Sequence, residues 1–502
     1  MKKIWFLYPF LFAAYPVLAL YSENQSLIPL SDLWRPLAVV LAAVGALLLF
    51  IAALSRSWTR SLAPAALVAL SFLNYFAFFA VIPLYSGSNE GLGVWFALTV
   101  LLALIAAWKW KWHQVTTFFA IALALFPIGK ITYAQVQQYL QKKEIKDERR
   151  KVEAEHGPRP DIVYIILDGY GRTDVLEKYY GFSNKTFIDS LKKRGFYIAT
   201  KAHANFCQTE LSLSSSLNYD FVQNLDGITP PVGDDRPGFS RVIQNNRLMA
   251  RLKQAGYQTA AISSGFPSLT FNEPDIKVTA RKGLSLFEST LMQTTPLAVG
   301  GNITQSMFDS RRTILTNAFA KLRTAGRTDG RPRITFAHIL APHPPFVFDR
   351  NGKPANYRTS AFGFWDGSDF MEKGGSSDMY KRGYSGQAQY IADQVITTVD
   401  QILADADHQP IIVIQSDHGP KMLLNQSELA KTNVTESFPI LNAYLVPDSV
   451  RKELYPSITP VNTFRTILRT LFKDDLPNLP DRSWYSPYGR PLEFTEVTDR
   501  LK

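Results

Sequence analysis

The chain has 502 residues, of which 46% are hydrophobic and 19% charged, and a formal net charge of +11. That length suffices for two or three domains, and a single cysteine, Cys207, excludes any intrachain disulfide. The positive balance reads either as scattered, solvated Lys and Arg or as attraction to anionic lipid headgroups and phosphorylated substrates; no nucleic-acid partner is expected.

Apolar stretches fall at 4–21, 36–54, 62–85, 92–108 and 115–134. Each is near the ~20 residues needed to cross a hydrocarbon core. The gaps between them alternate in charge. Lys2 and Lys3, then Arg56 and Arg60, then Lys109 and Lys111 mark one side, whereas Glu23, Asp32 and Arg35, then Glu90, mark the other. Positive residues stay on the cytoplasmic side. Residues 1–135 are therefore expected to form a membrane domain of five helices with the N-terminus inside. The first stretch reads alternatively as a cleaved signal peptide, since Val17-Leu18-Ala19 resembles a cleavage site, with no change of orientation. Trp5, Tyr85, Trp108 and Trp110 suit interfacial anchoring. The stretches hold no Asp or Glu, so no ion pathway is suggested. The expected location is the inner (cytoplasmic) membrane, multi-pass, with the rest of the chain on the periplasmic or extracellular side.

Residues 136–158 are polar and helix-favouring, as a stalk or linker would be, and His156-Gly157-Pro158-Arg159-Pro160 breaks that helix. Residues 159–502 form the third region. Strand-like runs recur at 162–167, 196–200, 258–263, 334–340, 411–416 and 440–446, with helix-like runs at 186–194, 240–255, 305–324 and 384–404. This alternation predicts an α/β domain with a mostly parallel central sheet. The stretch 350–380 is weakly patterned and is either a lid or a long surface loop.

The chemistry gathers at strand ends. Asp168 closes one strand, and Asp417 with His418 closes another. In open α/β sheets ligands bind outside the carboxyl ends of the strands. Two carboxylates and an imidazole can hold one divalent metal ion, Mn²⁺, Zn²⁺ or Mg²⁺. Thr209, in a polar turn before a helix-like stretch, is the best-placed hydroxyl. A metal would lower its pKa, and a helix start would favour a transferring phosphoryl group. Taken singly, an Asp after a strand is also a common helix cap, and S-D-H-G is also a common turn.

Together these segments resemble the alkaline phosphatase and sulfatase superfamily. The resemblance rests on Asp168 in I-I-L-D-G, Thr209 in N-F-C-Q-T-E-L-S-L, His343 in A-P-H-P-P-F, and Asp417-His418 in S-D-H-G. It spans about 160–485, with Thr459–Arg465 and Leu479–Ser483 matching the sulfatase-like branch. Five spans ahead of such a domain are similar to lipoteichoic acid synthases and lipid A phosphoethanolamine transferases. The resemblance implies Thr209 as nucleophile and metal ligand, with Asp168, Asp417 and His418 completing the metal site. It implies His343 as a catalytic and phosphate-contacting residue, and His338 as a further substrate contact. Asn205, just before the nucleophile turn, either touches substrate or holds the loop, as does His203.

Departures narrow the reading. True sulfatases carry C-x-P-S-R, whereas Cys207 is followed by Gln-Thr-Glu-Leu, so Cys207 is expected to be a small residue near the site. Asp168 is followed by Gly169 instead of a second Asp, and no second-metal Asp-x-x-x-His pair is evident. The absence of disulfides points away from the phosphoethanolamine enzymes, toward a phosphoglycerol-type or other headgroup. The implied function is a membrane-anchored, metal-dependent transferase. It would move a phospho-headgroup, of phosphoglycerol or phosphoethanolamine type, from a phospholipid donor in the bilayer to an envelope glycan or lipid acceptor, through a phosphothreonine-type intermediate. The alternatives are a sulfatase-like hydrolase or phosphodiesterase and, from another class, an inactive membrane scaffold for envelope polymer assembly.

Overall fold

The computed structural model describes residues 5–25, 28–79, 89–148, 159–228, 238–262, 265, 269, 271, 274–278, 284–299, 302–326, 330–356, 359 and 362–501. The chain divides into two compact units, Met1–Arg150 with Gly283–Met307, and Lys151–Lys282 with Phe308–Lys502.

In the first unit helices occupy each predicted apolar stretch: Tyr8–Asn24, Ser31–Ser55, Trp58–Leu73, Asn89–Lys109 and His113–Glu148. Three segments, Ser31–Ser55, Asn89–Lys109 and His113–Val136, are long and apolar enough to cross a membrane, with mean hydropathies of 3.0, 2.1 and 1.7. Tyr8–Asn24 and Trp58–Leu73 have 17 and 16 residues. At 1.5 Å rise per residue both fall short of a hydrocarbon core of about 30 Å. Length and hydropathy thus support three crossings directly. The far end of the expected third span, with Tyr85, and the linker beyond Glu148, with His156, lie outside the described residues. The first part of the expected stalk continues the helix His113–Glu148 without a break.

A segment far along the chain joins this unit. Ser285 caps the helix Leu286–Gln293 through a reciprocal pair with Glu288. The Glu288 carboxylate also receives both Nε and Nη2 of Arg35, in the first turn of Ser31–Ser55. Phe287 meets Tyr21 edge-on, with ring centroids 5.7 Å apart. No long apolar run marks this helix; Phe287 and Leu291 bury in the unit's core beside the Glu288 contact.

The second unit is built on a seven-stranded sheet. Its strands are β1 (Ile162–Leu167), β2 (Tyr197–Ile198), β3 (Gln258–Ile262), β4 (Ile276–Val278), β5 (Arg333–Ile339), β6 (Ile411–Gln415) and β7 (Asn442–Leu445), in the order β2-β7-β6-β1-β5-β3-β4. β1, β3, β4, β5 and β6 run parallel, and β7 runs antiparallel to both β6 and β2. Every residue of β1 is buried, as an all-apolar run covered on both faces requires. The short β4 and a separate hairpin, β8 (Trp484–Tyr485) with β9 (Thr495–Glu496), carry too few residues to show a period in the sequence. The expected helix at 240–255 is two helices, Phe239–Gln244 and Arg247–Gln254, because Asn246 caps the second through Met249 N–H. In the centre of the sheet β1 lies between β5 and β6, so the loops after all three open at one edge.

Candidate active site

Register fixes the frame. Leu167 pairs with Ile339 and Ile166 with Gln415, so Asp168 emerges beside the ends of β5 and β6. The Asp168 N–H donates to the Ile339 carbonyl at 3.0 Å, and the His343 N–H donates to the Asp168 carbonyl at 3.0 Å. Ser416 Oγ accepts from Tyr170 N–H at 2.7 Å and lies 2.7 Å from the carbonyls of Leu167 and His418. These bonds latch the turn after β1 to the turn after β6. Gly169, at φ +75°, takes a left-handed conformation that lets its N–H reach Asp417 Oδ1 at 3.1 Å.

Four predicted residues meet at this edge. His418 Nδ1 donates to the Gly419 carbonyl at 2.8 Å, which leaves Nε2 with its lone pair free. Nε2 lies 3.3 Å from Asp168 Oδ1, 3.4 Å from Asp417 Oδ2 and 3.1 Å from Thr209 Oγ1. Asp168 Oδ1 and Asp417 Oδ2 are buried and have no hydrogen-bond partner. Three lone-pair atoms therefore converge in a buried place, where among the described residues the Thr209 hydroxyl is the donor that faces them. Buried polar atoms are otherwise nearly always partnered. The ligand atoms of Asp168, Asp417 and His418 all lie within 4.8 Å of one another. This donor set, two hard oxygens and one imidazole nitrogen, fits a divalent cation. Burial drives the His418 imidazole toward its neutral form against the pull of Asp417 and Asp168. Burial would push the Asp168 carboxyl up, but the nearby His343 charge, the His338 hydrogen bond and His418 together hold it well below the usual carboxylate range. Both are thus in ligand form.

Thr209 is the first residue of the helix Thr209–Asn218, and no side chain caps that end. Its hydroxyl stands at the end of the helix to which first-turn backbone N–H groups point, a setting that favours an anion. Cys207 is fully buried beside it, and burial pushes its thiol up, against the nucleophilic form.

His343 and His338 part company. The His343 ring centroid is 6.3 Å from that of His418, its Nδ1 faces the Pro344 carbonyl, and its Nε2 is 3.3 Å from Asp366 Oδ2. It belongs to the site. His338, on β5, is 1% exposed and turns Nε2 to Asp168 Oδ2 at 3.1 Å. Through that contact His338 orients Asp168, while its Nδ1 is buried with no hydrogen-bond partner. For Asn205, the contacts match the loop-holding alternative. Its amide nitrogen donates to the Arg482 carbonyl at 2.8 Å and its oxygen accepts from Val461 N–H at 3.0 Å, contacts that hold the loop. His203 does similar work, with Nδ1 2.8 Å from Ser483 Oγ.

Three residues at the site carry no signal that sequence reasoning picked out. Asp366 is buried in the weakly patterned stretch, and its Oδ1 accepts from Tyr380 Oη at 2.6 Å and from Gly367 N–H at 2.8 Å. This leaves Oδ2 for His343. Asp366 joins the site through that contact with His343. Arg311, on the helix Asn302–Leu322, is buried and donates from Nη2 to the Leu340 carbonyl at 2.8 Å. Burial lowers its guanidinium to about 10 against the pull of Asp168. Lys421 is buried three residues after His418. A charged residue in a helix, or after a turn, gives no signal of where it ends up.

The turn leaves no slack. A Cβ on Gly419 would stand 2.7 Å from the Glu436 carbonyl oxygen and 2.8 Å from the Ser437 carbonyl. Both are backbone, so Gly419→Ala is expected to cost ~1–3 kcal/mol in denaturant unfolding and to move His418 with it. Wild-type stability in that variant would show that the turn can shift.

The sulfatase family model matches residues 160–441. No curated protein matches the sequence. Among solved structures, the chain is similar to the C-terminal periplasmic domain of EcEptC from Escherichia coli in complex with Zn, at 12% identity and a TM-score of 0.43, over 68% of this chain and 94% of that one. It is also similar to the integral membrane protein lipooligosaccharide phosphoethanolamine transferase A from Neisseria meningitidis, at 12% identity and 0.38, over 92% and 93%. A third is the phosphonate monoester hydrolase of Agrobacterium radiobacter, at 13% identity and 0.40, over 65% and 80%.

Proposed function

Because the chain belongs to the sulfatase family and is an enzyme of the alkaline phosphatase superfamily, we propose that it is a membrane-anchored transferase. It moves a phospho-headgroup, of phosphoglycerol or phosphoethanolamine type, from a phospholipid to an envelope glycan or lipid. The observation that carries this reading is the Thr209 hydroxyl, 3.1 Å from His418 Nε2 within the cluster of unpartnered lone pairs. That hydroxyl stands at a helix N-terminus, in a chain that also holds three membrane-length apolar helices. Five crossings, with the N-terminus inside and the catalytic domain outside, complete the proposed topology. It rests on the alternation of Lys and Arg between the helices. The domains are then the membrane helices, the stalk to about residue 158 and the catalytic region after it.

The residues divide the work. Asp168, Asp417, His418 and Thr209 would hold one divalent ion, of Mn²⁺, Zn²⁺ or Mg²⁺ type. Bound there, it supplies positive charge that favours the alkoxide form of Thr209 and the charge on the phosphoryl oxygens. Thr209 Oγ1 forms the bond to phosphorus, and the bond from phosphorus to the diacylglycerol oxygen breaks. His343 stands beside Asp366 and delivers a proton from its ring to that leaving oxygen. In the second step the same ring takes the proton of the acceptor hydroxyl. The acceptor oxygen then bonds to phosphorus, and the bond to Thr209 breaks. Two half-reactions through one nucleophile give ping-pong kinetics.

The test is mass spectrometry of the purified full-length protein after incubation with mixed bacterial phospholipids and a divalent metal, without acceptor. An adduct on Thr209 is expected, and its mass reads the headgroup. Diacylglycerol release with no adduct would favour hydrolysis. No adduct and no turnover with any donor class would favour the scaffold.

A further inference from the structure

The helix Ser377–Asp405 carries none of the residues assigned to the transfer, yet three side chains on one of its faces reach the loops of the site. Tyr380, Tyr384 and Gln387 recur at i, i+4 and i+7, so they share a single stripe. All three are at most 1% exposed. The Tyr384 hydroxyl donates to the Gly169 carbonyl at 2.8 Å and accepts from the Gly171 N–H at 3.0 Å. The Tyr380 hydroxyl donates to Asp366 Oδ1 at 2.6 Å and accepts from the Lys421 N–H at 3.3 Å. The Gln387 amide accepts from the N–H groups of Val347 and Phe348 at 2.8 and 3.2 Å, and donates to the carbonyls of Pro342 and His343, both at 3.2 Å. Each side chain thus both donates to and accepts from segments that carry or adjoin site residues. Further along the helix the buried face turns largely aliphatic, with Ile391, Val395, Val399 and Ile402. The hydrogen-bonding stripe lies in the turns that meet those loops.

The two hydroxyls serve different parts of the chemistry. Tyr384 holds the carbonyl of the Gly169–Tyr170 peptide, while Ser416 Oγ accepts from the N–H of the same peptide. With that peptide fixed at both ends, the Gly169 N–H stays on Asp417 Oδ1 and Asp168 stays beside His418. Tyr380 takes one oxygen of Asp366, which turns the other toward His343 Nε2 at 3.3 Å. Burial pushes both phenols well above their usual range, so both remain donors. Ring packing sets where the hydroxyls point. Tyr380 and Tyr384 stack with centroids 6.2 Å apart, and the Tyr180 ring lies 4.5 Å from that of Tyr384. We propose that this helix face is the template of the site, with Tyr384 the positioning residue for the metal ligands Asp168 and Asp417, and Tyr380 the positioning residue for His343. The first half rests on the ion site alone, and the second on the transferase reading.

The experiment uses the purified full-length protein in detergent and compares wild type with Tyr384→Phe, Tyr380→Phe and Tyr444→Phe. The last is a control. It removes an equally buried hydroxyl, bonded to Thr463 Oγ1, from a residue that pairs with Val413 in mid-sheet. Zn²⁺ affinity is read by competition with a chromogenic chelator, and diacylglycerol release from mixed bacterial phospholipids is read at saturating Zn²⁺. Loss of a group that orients a metal ligand costs about 10- to 100-fold in affinity or activity. Tyr384→Phe is expected to weaken Zn²⁺ binding by that factor and to regain most of its rate at saturating ion. Tyr380→Phe is expected to bind Zn²⁺ within about three-fold of wild type but to lose about 10- to 100-fold in kcat, with KM for the donor little changed. Tyr444→Phe should change neither property. A merely structural stripe would lower the melting temperature of all three variants alike and leave Zn²⁺ affinity and kcat near wild type; that result overturns the inference. A wild type that binds Zn²⁺ but turns over no donor overturns the transferase reading and the Tyr380 half with it, while the Tyr384 half is decided by Zn²⁺ affinity. A wild type that takes up no Zn²⁺ overturns the ion site and the Tyr384 half together.

Discussion

Thr209→Ala is expected to lower headgroup transfer by about 10⁴- to 10⁶-fold, the scale seen when a covalent nucleophile is removed. No neighbour can take over. Ser212, one turn further along the helix, donates to the Phe206 carbonyl at 3.0 Å. Cys207 is buried, and its thiol is held protonated by that burial. The loss should be confined to chemistry, because among the described residues the Thr209 hydroxyl is hydrogen-bonded to His418 alone. Thermal stability of the metal-free variant should therefore match wild type within about 1 kcal/mol. Thr209→Ser keeps the hydroxyl and should retain part of the rate, with the covalent adduct moving to the serine. Steady-state donor turnover and intact-protein mass spectrometry check both. Undiminished transfer by Thr209→Ala would remove the covalent route altogether.

What made Thr209 legible also shows why other residues were not. Asp168, Asp417 and His418 announce themselves because apolar β-branched runs stop abruptly at them, and a strand end is a place whose spatial neighbours the topology rules constrain. His343 follows β5 by four residues and is placed by the same logic. His338 lies inside β5, where the sequence does not say which face a buried histidine takes or whether it meets substrate or a carboxylate. Asn205 sits in a loop whose partners, Arg482 and Val461, are more than 250 residues away, so its fate was set by tertiary contacts invisible to local pattern. Asp366 was obscured for a different reason. Its stretch has neither period, and only its contacts with Tyr380 and His343 give it meaning. The helix Leu286–Gln293 shows the limit of hydropathy. It joins the apolar unit through Glu288 and Phe287, an acid and a single ring in a helix too short to show as a span. Conversely, the described part of each of the five apolar stretches is largely helical, but a helix of 16 or 17 residues is not by that fact a span.

Asp417→Asn should act on the metal in a way that separates ligand loss from unfolding. Asp417 Oδ1 accepts the Gly169 N–H, and Oδ2 faces His418 Nε2 at 3.4 Å with no donor between them. An asparagine can keep the first contact through its oxygen and turn its NH₂ toward the Nε2 lone pair. The metal-free variant can thereby share the Nε2 lone pair, which already accepts from the Thr209 hydroxyl, where the wild type sets a carboxylate oxygen against it. It should melt no lower than metal-free wild type, and higher if the bond forms well, by about 1 kcal/mol. The metal-loaded comparison has the opposite sign. Wild type should gain stability with added divalent ion, in proportion to RT ln(1 + [L]/Kd), whereas Asp417→Asn should gain almost none. Elemental analysis should find about one ion per wild-type chain and little in the variant. Transfer should fall about 10³-fold or more, matching what a chelator does to wild type. Protons compete with the ion for the same atoms, so metal retention should weaken as the pH falls and the carboxylates and imidazole take up protons. A variant that melts far below metal-free wild type would mean that the carboxylate holds the turn itself. A variant that keeps its ion and its rate would mean that Asp168, His418 and Thr209 suffice, and Asp417 would then serve mainly to hold the turn at Gly169.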